Sequence, residues 1–159
     1  MDKISCRNEL KKVLETELQH TESLHQLLVQ EKSALVNDPE TLTVLSDKKQ
    51  VLISQLEKIQ HHANAFLQDC GFSPDRQGME SCIAWCDTEK NILPVWKRLT
   101  DHIKECRKQN HLNGSIMENG MRSIKQALAI LHGKVLQQDT YNANGTENNQ
   151  SIGKTIAKA

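Results

Sequence analysis

Cysteine and histidine are the residues of this chain whose types and spacing could do chemistry. Cys82 and Cys86 stand four residues apart, and so do His102 and Cys106. Residues four apart on a helix share a face. Zinc accepts sulfur and nitrogen in a tetrahedral shell, so two cysteines, a histidine and a third cysteine form a chemically acceptable set. The tight C-x-x-C knuckle of many structural zinc sites does not occur. Cys106 also falls on an apolar helical grid, where a free cysteine behaves as a small hydrophobe. The expectation is therefore no metal and no cofactor. His61 and His62 are adjacent, so on a helix they point in different directions and read as a solvated face. No G-x-S-x-G, P-loop or G-x-G-x-x-G is found, and an enzyme is not expected.

A polar gap is the second feature with chemical meaning. Asn110, Asn113 and Gly114 sit between Cys106 and Met117 on the seam of a long helical segment. A polar residue buried on such a seam lowers stability but fixes register. The same residues could simply be exposed where a bundle is thin. A third reading is a groove in which Gly114 and Gly120 thin the surface for an incoming helix. Met117 and Met121 suit that reading, because methionine adapts to more than one partner shape. Tyr141 is the only tyrosine and lies in a polar tail. It is either a partner anchor or a spectator.

These residues need elements to hold them. From about Lys3 to Val36, Leu10, Leu14, Leu24, Leu28 and Leu35 share a 3-4 grid with Glu17, Thr21 and Glu31. Leu18 and Leu27 broaden the stripe, which predicts an amphipathic helix with a partly polar seam. Asn37-Asp38-Pro39 ends it, since proline disfavours helix in the residue before it. Asp38 is a plausible N-cap for a second helix from Pro39 to about Cys70. Leu42, Leu45, Leu52, Leu56, Ile59, Ala63 and Phe66 share its grid, interrupted only by Lys49. Gly71 suits a left-handed C-terminal turn. A loop over 71–78 leads to a short helix over about Gln77–Cys86. The last helix runs from about Asn91 to His132, with Pro94 in its first turn and Gly133 as C-cap. Its grid holds Trp96, Leu99, Ile103, Cys106, Met117, Ile124, Ala127, Leu128 and Leu131. Some forty helical residues span about 60 Å.

The expected fold is all-α: an antiparallel coiled-coil-like bundle of three long helices plus one short helix, with a flexible C-terminal tail. Residues 1–133 form the bundle domain and 134–159 the tail, whose apolar content is too low to offset its ordering entropy.

Composition narrows the function class. Lys+Arg is 20 and Asp+Glu is 20, so the chain has no net charge to attract nucleic acid. Aromatic residues are 3%, which disfavours sheets. No apolar run is long enough for a membrane span, and Met1-Asp2-Lys3-Ile4-Ser5 opens no secretory signal. With five cysteines, Cys6, Cys70, Cys82, Cys86 and Cys106, the odd count implies reduced thiols. The expected location is the cytoplasm.

Several segments together resemble a known family. They are Glu31-Lys32 among leucines, the Gly71-Phe72 loop before a short helix, and Trp96-Lys97-Arg98-Leu99. The longest is Cys106-Arg107-Lys108-Gln109-Asn110-His111-Leu112-Asn113-Gly114, and Tyr141-Asn142-Ala143-Asn144-Gly145 follows in the tail, with Asn142 where glycine is common. The arrangement is similar to the FlgN-type flagellar export chaperones. The resemblance implies a protein that binds the hook–filament junction proteins FlgK and FlgL by their C-terminal helices. It prevents their premature assembly and delivers them to the export gate protein FlhA of the flagellar type III secretion apparatus. Carried over by position, Asn110, Asn113, Gly114, Met117, Met121, Ile124, Leu128 and Leu131 line or flank the client groove, and Tyr141 docks on the gate. Two other classes stay open. One is a self-associating coiled-coil scaffold paired through the partly polar first helix, which concentration-dependent mass would reveal. The other is a zinc-binding helical module, which metal analysis would reveal.

Overall fold

The structure is a computed structural model, and it describes residues 2–131. Four helices follow in order: α1 (Lys3–Asn37), α2 (Pro39–Asp69), α3 (Arg76–Cys86) and α4 (Leu93–Leu131). No strand occurs among the described residues. The fold is the expected helical bundle. Gly133, Tyr141 and the tail expected over 134–159 lie outside the described residues. The chain divides into two compact units, residues 1–120 and 121–159.

Four aspartates set the helix boundaries. Asp2 adopts an extended backbone, and its Oδ1 accepts from the backbone N–H of Ile4 and Ser5 at 3.0 and 2.9 Å. A carboxylate there satisfies helix-start donors that have no partner in the helix. Asp38 makes the corner between α1 and α2. Its N–H closes α1 on the Ala34 carbonyl at 2.9 Å, and its Oδ1 accepts from Thr41 N–H at 3.3 Å to open α2. Pro39 holds the first position of α2, where a missing N–H costs nothing.

The end of α2 is a Schellman turn. Gly71 sits at φ 82°. Its N–H donates to Gln68 at 2.9 Å, and the Phe72 N–H donates to Leu67 at 2.8 Å. This left-handed step is the one predicted for Gly71, and glycine takes it without a Cβ clash. It leaves Cys70 as the cap residue of α2. Asp75 then caps α3, accepting from Gly78 N–H at 2.7 Å. A Cβ on Gly78 would overlap the Ser73 carbonyl, so this helix start requires glycine to lie against its own loop. Asp87 closes α3 and opens α4. Its carboxylate accepts from Asn91, Ile92 and Leu93 N–H groups at 2.8, 2.9 and 3.0 Å. Lys90 makes the turn between them at φ 56°.

Within residues 1–120, α2 runs antiparallel to α1 and α4 runs parallel to it. Cys6 meets Cys70, and Glu31 meets Lys49, which fixes the first pair. Glu22 accepts from Arg98 at 2.8 Å, and the Leu28 carbonyl accepts from Asn113 at 2.8 Å, which fixes the second. The main core joins Cys6, Leu10, Leu14 and Leu18 of α1 to Phe66 and Leu67 of α2. Met79, Cys82, Ile83 and Cys86 of α3, with Ile92 and Leu99, complete it. A smaller cluster joins Leu27, Ala34 and Leu45.

Candidate functional site

Three places on this scaffold carry candidate chemistry. The first is a layer of thiols at the start of α1. Cys6 Sγ lies 3.7 Å from Cys70 Sγ and 3.7 Å from Cys82 Sγ. The sulfurs of Cys6, Cys82 and Cys86 all lie within 4.8 Å of one another. Cys6, Cys82 and Cys86 are buried, and Cys70 is half-buried. Burial pushes the Cys6 and Cys86 thiols upward and the Cys82 thiol up to about 11. Without a cation these sulfurs are protonated near neutral pH, so none is a poised nucleophile.

This layer corrects the set of metal candidates drawn from spacing. Cys82 and Cys86 do share a face, but their companion is Cys6, which in turn touches Cys70. His102 lies against Glu22 instead, its Nε2 3.4 Å from the carboxylate, and beside the His25 ring. Cys106 donates to the Thr21 carbonyl at 3.5 Å. Sequence spacing missed Cys6 and Cys70 because they are remote in the chain. The only local signal was Gly71, whose turn holds Cys70 in place.

The second place is a polar layer shared by α1, α2 and α4. Asn113 is buried at 3% exposure. Its Nδ2 donates to the Leu28 carbonyl and to Glu31 Oε2, both at 2.8 Å. Its Oδ1 accepts from Gln109 Nε2 at 2.9 Å. The other oxygen of Glu31 pairs with Lys49. Asn113 is therefore fully satisfied. Among the described residues, no buried side-chain N or O lacks a partner. Of the readings open for the polar gap, Asn113 takes the register-fixing one, while Asn110 is exposed and Gly114 half-buried.

The third place is on α4. Met117 is 54% exposed. In the unit that follows, Met121, Ile124, Leu128 and Leu131 are 54, 56, 48 and 80% exposed. Their spacings of three and four put them on one face of their helix. Exposed apolar side chains in such a row are candidates for contact with a partner. His61 and His62 are exposed, as read from the sequence.

The chain matches the family model described as "FlgN protein" over residues 1–149, nearly its whole length. It belongs to the FlgN family. Among curated proteins and among solved structures, nothing matches. Membership gives this FlgN protein its general role, that of a flagellar export chaperone, and a chaperone family is where a stripe of exposed apolar side chains has a use. No described helix is long and apolar enough to cross a membrane.

Proposed function

We propose that this FlgN protein binds the C-terminal helices of the hook–filament junction proteins FlgK and FlgL in the cytoplasm. Binding prevents their premature assembly, and the complex is then delivered to the export gate protein FlhA. The observation that carries the reading is the exposed apolar stripe of α4, whose members from Met121 onward are about half exposed or more. Met117, Met121, Ile124, Leu128 and Leu131 form the contact face. Asn110 and Gly114 flank it. Asn113 flanks it from inside, by holding α4 in register with α1. Residues 1–133 act as the binding domain, and residues 134–159 carry Tyr141, which docks at the gate.

The energetics suit a carrier. Covering apolar surface gains about 25 cal/mol per Å². Ordering the client helix offsets much of that gain. The net is firm but reversible binding, which a chaperone without a nucleotide cycle requires. Isothermal titration with the C-terminal segments of FlgK and FlgL tests the reading. Saturable binding near one-to-one is expected, with Ile124→Asp abolishing it while far-UV circular dichroism stays helical. Equal affinity of the wild type and Ile124→Asp would remove α4 as the client face. The self-associating scaffold drew on a partly polar α1 seam. That seam faces inward: Thr21 and Glu31 are buried, and Glu31 is paired with α2 and α4.

A further inference from the structure

The thiol layer has a geometry that the chaperone role does not use. Four of the five cysteines converge there from three chain segments: the first turn of α1, the cap of α2, and α3. Four sulfurs around one tetrahedral zinc at about 2.3 Å stand about 3.8 Å apart. Both resolved contacts of Cys6 are 3.7 Å, and Cys82 and Cys86 complete a triangle no wider than 4.8 Å on a side. We infer that Cys6, Cys70, Cys82 and Cys86 form a binding site for a single thiophilic cation, zinc, held as a closed structural centre.

The donor set selects the ion. It contains sulfur alone, which excludes magnesium and calcium and favours zinc among abundant divalent ions. The sulfurs of Cys6, Cys82 and Cys86 are too close together to surround an iron–sulfur cube, whereas one ion fits between them; Cys70 lies outside that triangle, 3.7 Å from Cys6, and closes the shell by a side-chain rotation toward the ion. Local structure prepares each ligand. Cys82 and Cys86 are one helical turn apart on α3 and chelate from the same face. Cys6 is buried at 0% exposure and faces both Cys82 and Cys70. The left-handed Gly71 fixes Cys70 on the cap of α2. Cys70 is half-buried, and it provides the route by which the ion enters. Uptake replaces the thiol protons of the four ligands with one Zn²⁺, and those protons leave to solvent. The centre then ties the start of α1 to the α2–α3 turn. This inference is independent of the client face on α4.

The test uses the full chain purified under reducing conditions. Metal analysis is expected to find one zinc per chain, and removal by chelator is expected to lower the melting temperature. Cobalt(II) loaded in place of zinc is expected to give the intense visible bands of a tetrahedral ion and a sulfur-to-cobalt charge-transfer band. Cys70→Ser keeps the three buried ligands, so it should still load cobalt but lose about a quarter of the charge-transfer intensity, one thiolate in four. Cys106→Ser, which leaves the layer intact, should change nothing. The proposal is overturned if the folded chain takes up neither zinc nor cobalt while thiol titration finds all five thiols free. It is equally overturned if two of the four are found oxidised as a disulfide in the chain as isolated, or if Cys106→Ser loses the cobalt spectrum and Cys70→Ser does not.

Discussion

The thiol layer and the polar layer lie at different heights along the same α1 helix and solve the same packing problem differently. Near Cys6, the bundle is filled by apolar side chains, and three helices meet with sulfur in the middle. Near Glu31, three helices meet around a carboxylate, an ammonium and an amide. The first layer gains from removing apolar surface from water, which is indifferent to direction. The second gains little net energy, because desolvating Glu31 and Lys49 offsets most of their attraction. What it supplies is direction: Asn113 meets its two α1 partners, the Leu28 carbonyl and Glu31, in only one register of α4 on α1. One layer provides stability, and the other provides uniqueness.

If that division holds, truncation in the thiol layer has the largest effect. Leu14 is fully buried within this core. Leu14→Ala removes its contacts and leaves a cavity, and the expected loss is about 2–5 kcal/mol. Urea unfolding followed by circular dichroism measures it. A loss under about 1 kcal/mol would show that the core there repacks freely, against the dense interior the contacts describe.

The polar layer should respond in a different way. Asn113→Ala leaves Glu31 Oε2 without its Asn113 donor and takes from the Leu28 carbonyl its bond to α4, and about 1–3 kcal/mol should be lost. Replacing Glu31, Lys49 and Asn113 together by leucine removes the polar groups as a set, and is expected to be neutral or stabilising by about 1–4 kcal/mol. The cost of the triple change should be in specificity, seen as broadened amide resonances or mixed association states in sedimentation. A triple variant that is both more stable and uniquely folded would take the register role away from Asn113.

The two layers were unequally legible in the sequence. Each member of the polar layer stood out as an interruption of an apolar grid: Glu31 in the first helix, Lys49 in the second and Asn113 in the last. That they meet one another follows from register, which single-helix periodicity does not carry. The helix boundaries were legible because local chemistry sets them: Asp38 with Pro39, and Gly71 at its left-handed turn. The thiol layer was half legible. Cys82 and Cys86 announced a shared face, but Cys106 sits on an apolar grid without joining them. Cys6 is sixty-four residues from Cys70, and only tertiary packing brings them together. The stripe from Met117 to Leu131 was legible as an apolar grid, and only the family resemblance named it a client groove, since periodicity shows that a face is apolar and not whether the chain covers it.

The smallest expected effect concerns pH, and it separates the layers again. Three of the four capping aspartates, Asp2, Asp75 and Asp87, frame the helix ends around the thiol layer. Asp2 is held below the ordinary range mainly by the Ser5 N–H, Asp75 by the Gly78 N–H, and Asp38 at the far corner by the Thr41 side chain. At Asp87 burial pushes upward, but the N–H groups of Leu93, Ile92 and Asn91 outweigh it and the carboxyl lies low. A carboxyl with a folded value below its unfolded value, about 3.9, leaves the folded chain with fewer bound protons. Its stabilisation is complete above that value and disappears as pH falls through the lower folded one. Glu17 has the opposite sign, because burial raises it, so it costs stability as pH rises through its folded value. Both tryptophans, Trp85 and Trp96, lie at the thiol end, Trp85 against Phe72 and Trp96 against the core. Their fluorescence should therefore report acid loosening of that layer below about pH 4. Asp87→Asn keeps a side-chain acceptor for the turn but cannot titrate, so its acid limb should be shallower than that of the wild type. In metal-free protein, an unchanged limb in Asp87→Asn would assign the acid sensitivity to the other caps and leave the α3–α4 turn without a part in it.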